Sequence, residues 1–155
     1  MNAENIGDEL PFFDSLYYHL EVDILTFTYR GYPDSTGEPS EVGLKSDAHA
    51  IMKYLKEQFA DTSVDKGGIF LLGRSLGGAV ATEAITNESK SMIDGIVLEN
   101  TFTSIPDMVD HIFGFAGYVK VLNLGNVWMT VDIVPTITTP MYFVTGDKDE
   151  IVPCD

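Results

Sequence analysis

Cysteine and positive charge are scarce in this sequence of 155 residues. Cys154 is the single cysteine, which excludes an internal disulfide and a cysteine-based zinc site. No other cluster of residues indicates a metal or an organic cofactor. One cysteine suits a reducing compartment, so an intracellular location is expected. Lys and Arg number 9 against 24 Asp and Glu, a net charge of −15. Such a chain repels phosphate backbones and anionic lipid surfaces, so no nucleic-acid partner is expected and the charge serves solubility. The opening "MNAENIGDEL" has no basic segment followed by an apolar run, so it does not read as a signal peptide. Long hydrophobic runs are missing as well. The tract from Ile112 to Met129 is broken by Lys120, Asn123, Gly125 and Asn126, which fits a buried or lid segment better than a membrane span.

What is present is a globular composition, 45% hydrophobic, without repeats or low-complexity linkers. Residues 23–29, "DILTFTY", are β-branched and aromatic and predict a buried strand. His19 stands just before it in "YYHLEVD". The turn "RGYPDSTGEPS" follows, and Ser40 then caps a helix with Leu44, Ala48, Ile51, Met52, Leu55 and Phe59 on one face. Strands are expected over 68–72, 95–99 and 139–145, with a helix from Leu76 to about Thr86. Strands alternating with helices predict an α/β fold, a mostly parallel sheet with helices on both faces. Ligands of such sheets bind beyond the carboxyl ends of the strands, where "RGYPDS", the Ser75 turn, "ENTF" and "GDKDEIVP" all fall. Residues 1–155 read as one domain, and 104–138 as a lid-like insert over the site.

The stretch "IFLLGRSLGG", residues 69–78, carries the chemistry. Gly73-Arg74-Ser75-Leu76-Gly77 fits G-x-S-x-G in its proper setting, an apolar strand before it and a helix after it. The serine belongs on a strained turn, and the flanking glycines remove side chains that would clash there. Gly78, Ala79 and Ala81 let the helix approach the strands. The Leu76 N–H, at the helix N-terminus, would face the oxyanion of a tetrahedral intermediate.

Several motifs in order and at matching spacing ("NAENIG", "YRGYPDSTGEPSEVGL", "IFLLGRSLGGAVA", "VLENTFTSI", "GDKDEIVP") extend this to nearly the whole chain. On them the chain resembles the α/β-hydrolase fold and, within it, the Bem46-like or abhydrolase-domain 13-like family. The resemblance implies a serine hydrolase of ester or thioester bonds. It also implies an acid three residues after Gly146, which is Asp149, to hold a histidine in the correct tautomer. Asp147 is the neighbouring competitor. Glu99 is another, since some relatives of the fold place the acid after the preceding strand. The family's oxyanion loop reads His-Gly-Asn-Ala-Gly-Asn. Against it this chain begins Met1-Asn2-Ala3-Glu4-Asn5, so the second oxyanion donor falls near Asn2, with Glu4 in place of a glycine.

The resemblance also places the histidine after the acid, whereas His19, His49 and His111 all precede Asp149. His19 and His49 read as structural or surface residues, and His111, in the insert, is the one able to swing over the site. The fold is therefore expected to be truncated at both ends, with its opening strands, any amino-terminal membrane anchor and the histidine segment missing. The chain by itself is then expected to have little activity. Its substrate would be a small-molecule or acylated-protein ester. Phe113, Phe115, Tyr118 and Trp128 suit either an apolar acyl chain or an ordinary core. The alternative is a non-catalytic hydrolase-fold domain that binds a ligand or partner, and uncovered sheet edges would favour self-association.

Overall fold

The computed structural model describes residues 6–59, 67–85, 89–113, 127–149 and 151–152. In chain order they form α1 (Ile6–Leu20), α2 (Glu41–Gln58), β1 (Phe70–Arg74), α3 (Leu76–Ala84), β2 (Gly95–Glu99), α4 (Ile105–Phe113), the short α5 (Thr130–Ile133) with a 3₁₀ turn over Val134–Thr136, and β3 (Met141–Val144). The three strands make a parallel sheet in the order β1-β2-β3. This is the α/β architecture that the alternating pattern predicts.

The register decides which side chains face which layer. Leu71, Ile96 and Met141 are level with one another, and so are Leu72, Val97 and Tyr142. Neighbours along a strand point to opposite faces, so these two rows lie on opposite sides of the sheet. Ile96 and Leu98, each 1% exposed, pack with Ala79, Val80, Ala81 and Ala84 of α3 and with Leu44, Ala48 and Met52 of α2. Alanines along α3 keep that layer thin enough for α2 to close over it. The opposite face leaves Phe70, Leu72 and Tyr142 exposed, and α1 meets it at Arg74 through Glu9 and Phe12.

Helix α2 begins as the sequence predicts. The Ser40 hydroxyl accepts from the Gly43 N–H at 3.1 Å, which satisfies one of the free donors at the helix start. Its turn of entry is held by Arg30, whose Nε and Nη2 donate to Asp47 Oδ1 at 2.9 and 2.7 Å while its backbone N–H donates to Oδ2 at 3.0 Å. These bonds hold the Asp47 carboxyl below the usual aspartate range. Within that turn Gly31 has φ +74, and a Cβ there would stand 2.7 Å from Pro39 N. Only glycine fits.

The strand expected over 23–29 does not form. That segment joins no ladder, and Ile24 and Leu25 are 36% and 53% exposed. β-branched composition is a preference for a half-buried pleated surface, and without a partner strand it is too weak to order the chain by itself. Phe27 and Tyr29 instead meet edge to face at 5.2 Å, and Tyr29 meets Tyr32 at 5.6 Å. Residues 6–20 are helical, so His19 ends a helix rather than preceding a strand. Acidic Asp8 and Glu9 in its first turn and His19 in its last suit the helix dipole.

Of the expected insert, residues 114–126 lie outside the described residues, and so do Phe115 and Tyr118. Its two described arms are tied together: Ile105 N–H donates to Val127 O at 2.9 Å and Val131 N–H to Thr103 O at 3.0 Å. Glu41 ties the second arm to α2, since its Oε2 accepts from the N–H groups of Val127 (2.6 Å) and Trp128 (3.2 Å). Burial would raise the Glu41 carboxyl. The Lys45 ammonium and these two N–H groups outweigh it and hold the group ionised, below its ordinary range. Lys45 also pairs with Glu83 at 2.5 Å and lies 5.6 Å over the Trp128 ring. Trp128 is 4% exposed and belongs to the core rather than to an open acyl-chain wall.

Replacing Glu41 by Ala strands two backbone donors, one of them buried, and should lower unfolding stability by about 2–4 kcal/mol at neutral pH. Chemical denaturation measures this. Because the folded carboxyl is shifted down, its contribution is present above the unfolded pKa and disappears as pH falls through the lowered folded value. The wild-type and Glu41→Ala stability curves should therefore converge in acid.

Candidate active site

β1 ends at Arg74, α3 starts at Leu76, and a single residue joins them. Ser75 carries the whole change of direction at φ 53 and ψ −122, a region L-residues avoid. The reason lies in its neighbours. A Cβ on Gly73 would stand 2.6 Å from Gly78 Cα and 2.7 Å from the Gly77 carbonyl carbon, so strand and helix touch backbone to backbone. Gly78 is needed for a different contact, since a Cβ there would lie 2.6 Å from Thr101 Cβ. Gly77 departs from expectation: its nearest neighbour would be the Tyr29 hydroxyl at 3.7 Å, an ordinary contact, so close packing does not require glycine there.

The turn is pinned at both of its backbone atoms. Ser75 N–H donates to Glu99 O at 2.9 Å, and Ser75 O accepts from Gly78 N–H and Thr101 Oγ1, both at 2.9 Å. Leu76 opens α3, where the first N–H groups of a helix have no intrahelical acceptor. Its amide is thus among the free donors at the start of α3, next to Ser75. Asn2, the other expected donor, lies outside the described residues.

Asp149 sits in the turn after β3. Its Oδ1 accepts from the N–H groups of Ile151 and Val152, both at 2.9 Å, and its own N–H donates to Gly146 O at 3.2 Å. The two N–H bonds stabilise the carboxylate and bring its pKa below the ordinary aspartate value, with Val152 the larger cause. Oδ2 carries no bond among the described residues, so one oxygen anchors the turn while the other remains available. Asp147 lies in the same turn without such bonds among the described residues. Glu99 is engaged elsewhere: its Oε2 accepts from Arg74 Nε at 2.9 Å, and Arg74 also meets Glu9 and stacks 4.9 Å from the Phe12 ring. That pairing places Glu99 in an ion pair across the ends of β1 and β2.

No histidine pairs with Ser75 or Asp149 among the described residues. His19 Nδ1 lies 2.8 Å from Ser15 O, His49 Nε2 lies 3.2 Å from Glu83 O, and His111 ends α4 exposed. The described residues hold no group of three or more metal-ligating side chains. No described helix is long and apolar enough to cross a membrane.

Three residues near the turn were not singled out by the sequence reading. Tyr29 is one: burial, then the nearby Tyr32 and Asp47, push its hydroxyl up to about 12, so it stays a donor at neutral pH. The others are Asn100 and Thr101, inside "ENTF". Asn100 has φ 44, its N–H donates to Val144 O at 2.8 Å, and its Oδ1 accepts from Gly146 N–H at 3.0 Å. Their signal was positional: polar residues directly beyond the carboxyl end of the central strand.

No protein-family model matches the chain. Individual proteins do. It is 40% identical over 153 residues to protein bem46 of Schizosaccharomyces pombe, an alignment covering 98% of the chain and 50% of that protein. It is 34% identical over 163 residues to the alpha/beta hydrolase domain-containing protein WAV2 of Arabidopsis thaliana, covering 98% of the chain and 52% of the relative. With the lysophosphatidylserine lipase ABHD12 of Macaca fascicularis it shares 30% identity over 152 residues, 90% of the chain and 36% of the lipase. The chain spans about half the length of the first two relatives. Similarity that runs through nearly all of its residues makes this chain a member of the Bem46-like family of α/β hydrolases.

Proposed function

We propose that the chain carries the nucleophile and the acid of a serine hydrolase acting on ester or thioester bonds. One observation carries this reading: Ser75 alone bears a strained reversal between β1 and α3, beside a helix N-terminus and at the same sheet end as the Asp149 turn. Backbone held in such a sparsely populated region clusters at functional sites, which supports the reading. In the reaction Ser75 Oγ attacks the carbonyl carbon, the Leu76 N–H donates to the oxyanion, and the acyl group passes to Oγ as the alcohol or thiol leaves. Water then releases the acid. Asp149 Oδ2 accepts from a histidine that takes the Ser75 proton and returns it to the leaving group. No histidine meets Ser75 or Asp149 among the described residues, so these 155 residues by themselves are expected to turn over weakly. A relative named as a lysophosphatidylserine lipase supports a lipid acyl ester as the substrate class.

A fluorophosphonate probe tests the assignment on the natural polypeptide that contains this sequence. One adduct on the Ser75 peptide is expected, absent from Ser75→Ala. Equal labelling of the two would remove Ser75 as nucleophile, and no adduct at all would favour the binding-domain alternative. Asp149→Asn should slow labelling by about 10³–10⁴-fold, because the histidine loses its tautomer partner. Since Asp149 is shifted down, it stays ionised through neutral and mildly acidic pH. Its support of the turn is present above the unfolded pKa and is lost only as pH falls through the lowered folded value. The acid limb of the wild-type labelling profile should therefore follow the histidine and lie well above the aspartate range.

A further inference from the structure

The two turns that carry Ser75 and Asp149 are far apart in sequence and belong to the outer strands, β1 and β3. What lies between them is the end of β2. Its last residue, Glu99, gives its carbonyl to Ser75 N–H. The next, Asn100, grips the β3 side twice, by N–H to Val144 O and by Oδ1 to Gly146 N–H. Gly146 is also the residue whose carbonyl accepts from Asp149 N–H, so the Asn100 side chain reaches the Asp149 turn through Gly146. Thr101 then returns to the β1 side, where its hydroxyl donates to Ser75 O and its side chain fills the space over Gly78. Three consecutive residues thus alternate between the nucleophile turn and the acid turn. The left-handed φ of 44 at Asn100 makes the alternation possible, and asparagine tolerates that region better than most residues.

We propose that Asn100 and Thr101 are positioning residues that set the separation of Ser75 from Asp149. Neither touches the reacting atoms. Asn100 acts through the Gly146 amide and Thr101 through the Ser75 carbonyl, and the peptide bond between them makes the two turns one rigid unit. The proposal rests on the serine-hydrolase reading. It adds a source for the geometry: the central strand's polar dipeptide rather than the two turns themselves. A misplacement on the scale of 1 Å costs on the order of 100-fold in rate, so such a tie has large leverage.

The test uses the natural polypeptide carrying this sequence, hydrolysis of a p-nitrophenyl acyl ester, and amide hydrogen exchange. Asn100→Gly permits the left-handed backbone and removes the side-chain acceptor, while Asn100→Asp keeps an acceptor. Thr101→Val keeps the shape over Gly78 and removes the donor, while Thr101→Ser restores it. Asn100→Gly should lower kcat about 10–100-fold with KM unchanged and speed exchange at the Gly146 amide. Thr101→Val should lower kcat similarly and leave Gly146 protected. The Asp and Ser variants should recover most of the loss. Wild-type kcat in folded Asn100→Gly and Thr101→Val, or unchanged protection at Gly146 in Asn100→Gly, overturns the proposal and leaves the hydrolase reading standing. Hydrolysis that survives Ser75→Ala instead overturns the hydrolase reading, and the positioning role falls with it.

Discussion

At Gly73 the first strand and the third helix meet with nothing between them but backbone, and the rest of the site follows from that contact. A strand and a helix this close leave one residue for the reversal, so Ser75 takes φ 53 and ψ −122. The cost of that conformation, on the order of 1–3 kcal/mol, must be offset by its surroundings. Here the offset is visible: the Ser75 N–H and carbonyl are both bonded, to Glu99, Gly78 and Thr101. The helix then begins at once, and its opening amides lie beside the serine. The strained backbone at Ser75 and the helix N-terminus beside it are two consequences of one close approach.

Charge is handled with the same economy. With 9 cationic residues among 24 acids, the cations at structural positions join elements. Lys45 meets Glu41 and Glu83, which ties α2 to α3. Arg74 meets Glu99 and Glu9, linking the ends of β1 and β2 to α1. Arg30 and Asp47 join the entry turn to α2. Pairs near the surface contribute little each. Where a carboxylate also holds backbone N–H groups, as at Glu41 and Asp149, the bond satisfies donors that would otherwise go without a partner, and that raises its weight. Both groups are accordingly shifted toward ionisation.

The central strand has a double part in this arrangement. Its buried side chains, Ile96 and Leu98, anchor the helical layer, and its carboxyl end joins the two turns that hold Ser75 and Asp149. A parallel sheet puts all carboxyl ends on one side, so residues from different strands converge there without any contact along the sequence.

Much of this was legible in the sequence because it is local. The Ser40 cap, the α2 face of Leu44, Ala48 and Met52, the strand 95–99, and the glycine-flanked serine between strand and helix all depend on neighbours within a few residues. The family, too, is carried by local motifs. Tertiary structure decided what depends on distant partners. Residues 23–29 have strand composition and no ladder, because pairing is set by what lies alongside. Glu99, a plausible acid by position, pairs with Arg74, 25 residues away in sequence. Gly77 looked as necessary as Gly73, yet only the fold shows that helix and strand touch at one and not the other. Asn100 and Thr101 looked like ordinary polar residues after a strand. Their partners lie 46 and 26 residues away, and only the packed sheet brings them within bonding distance.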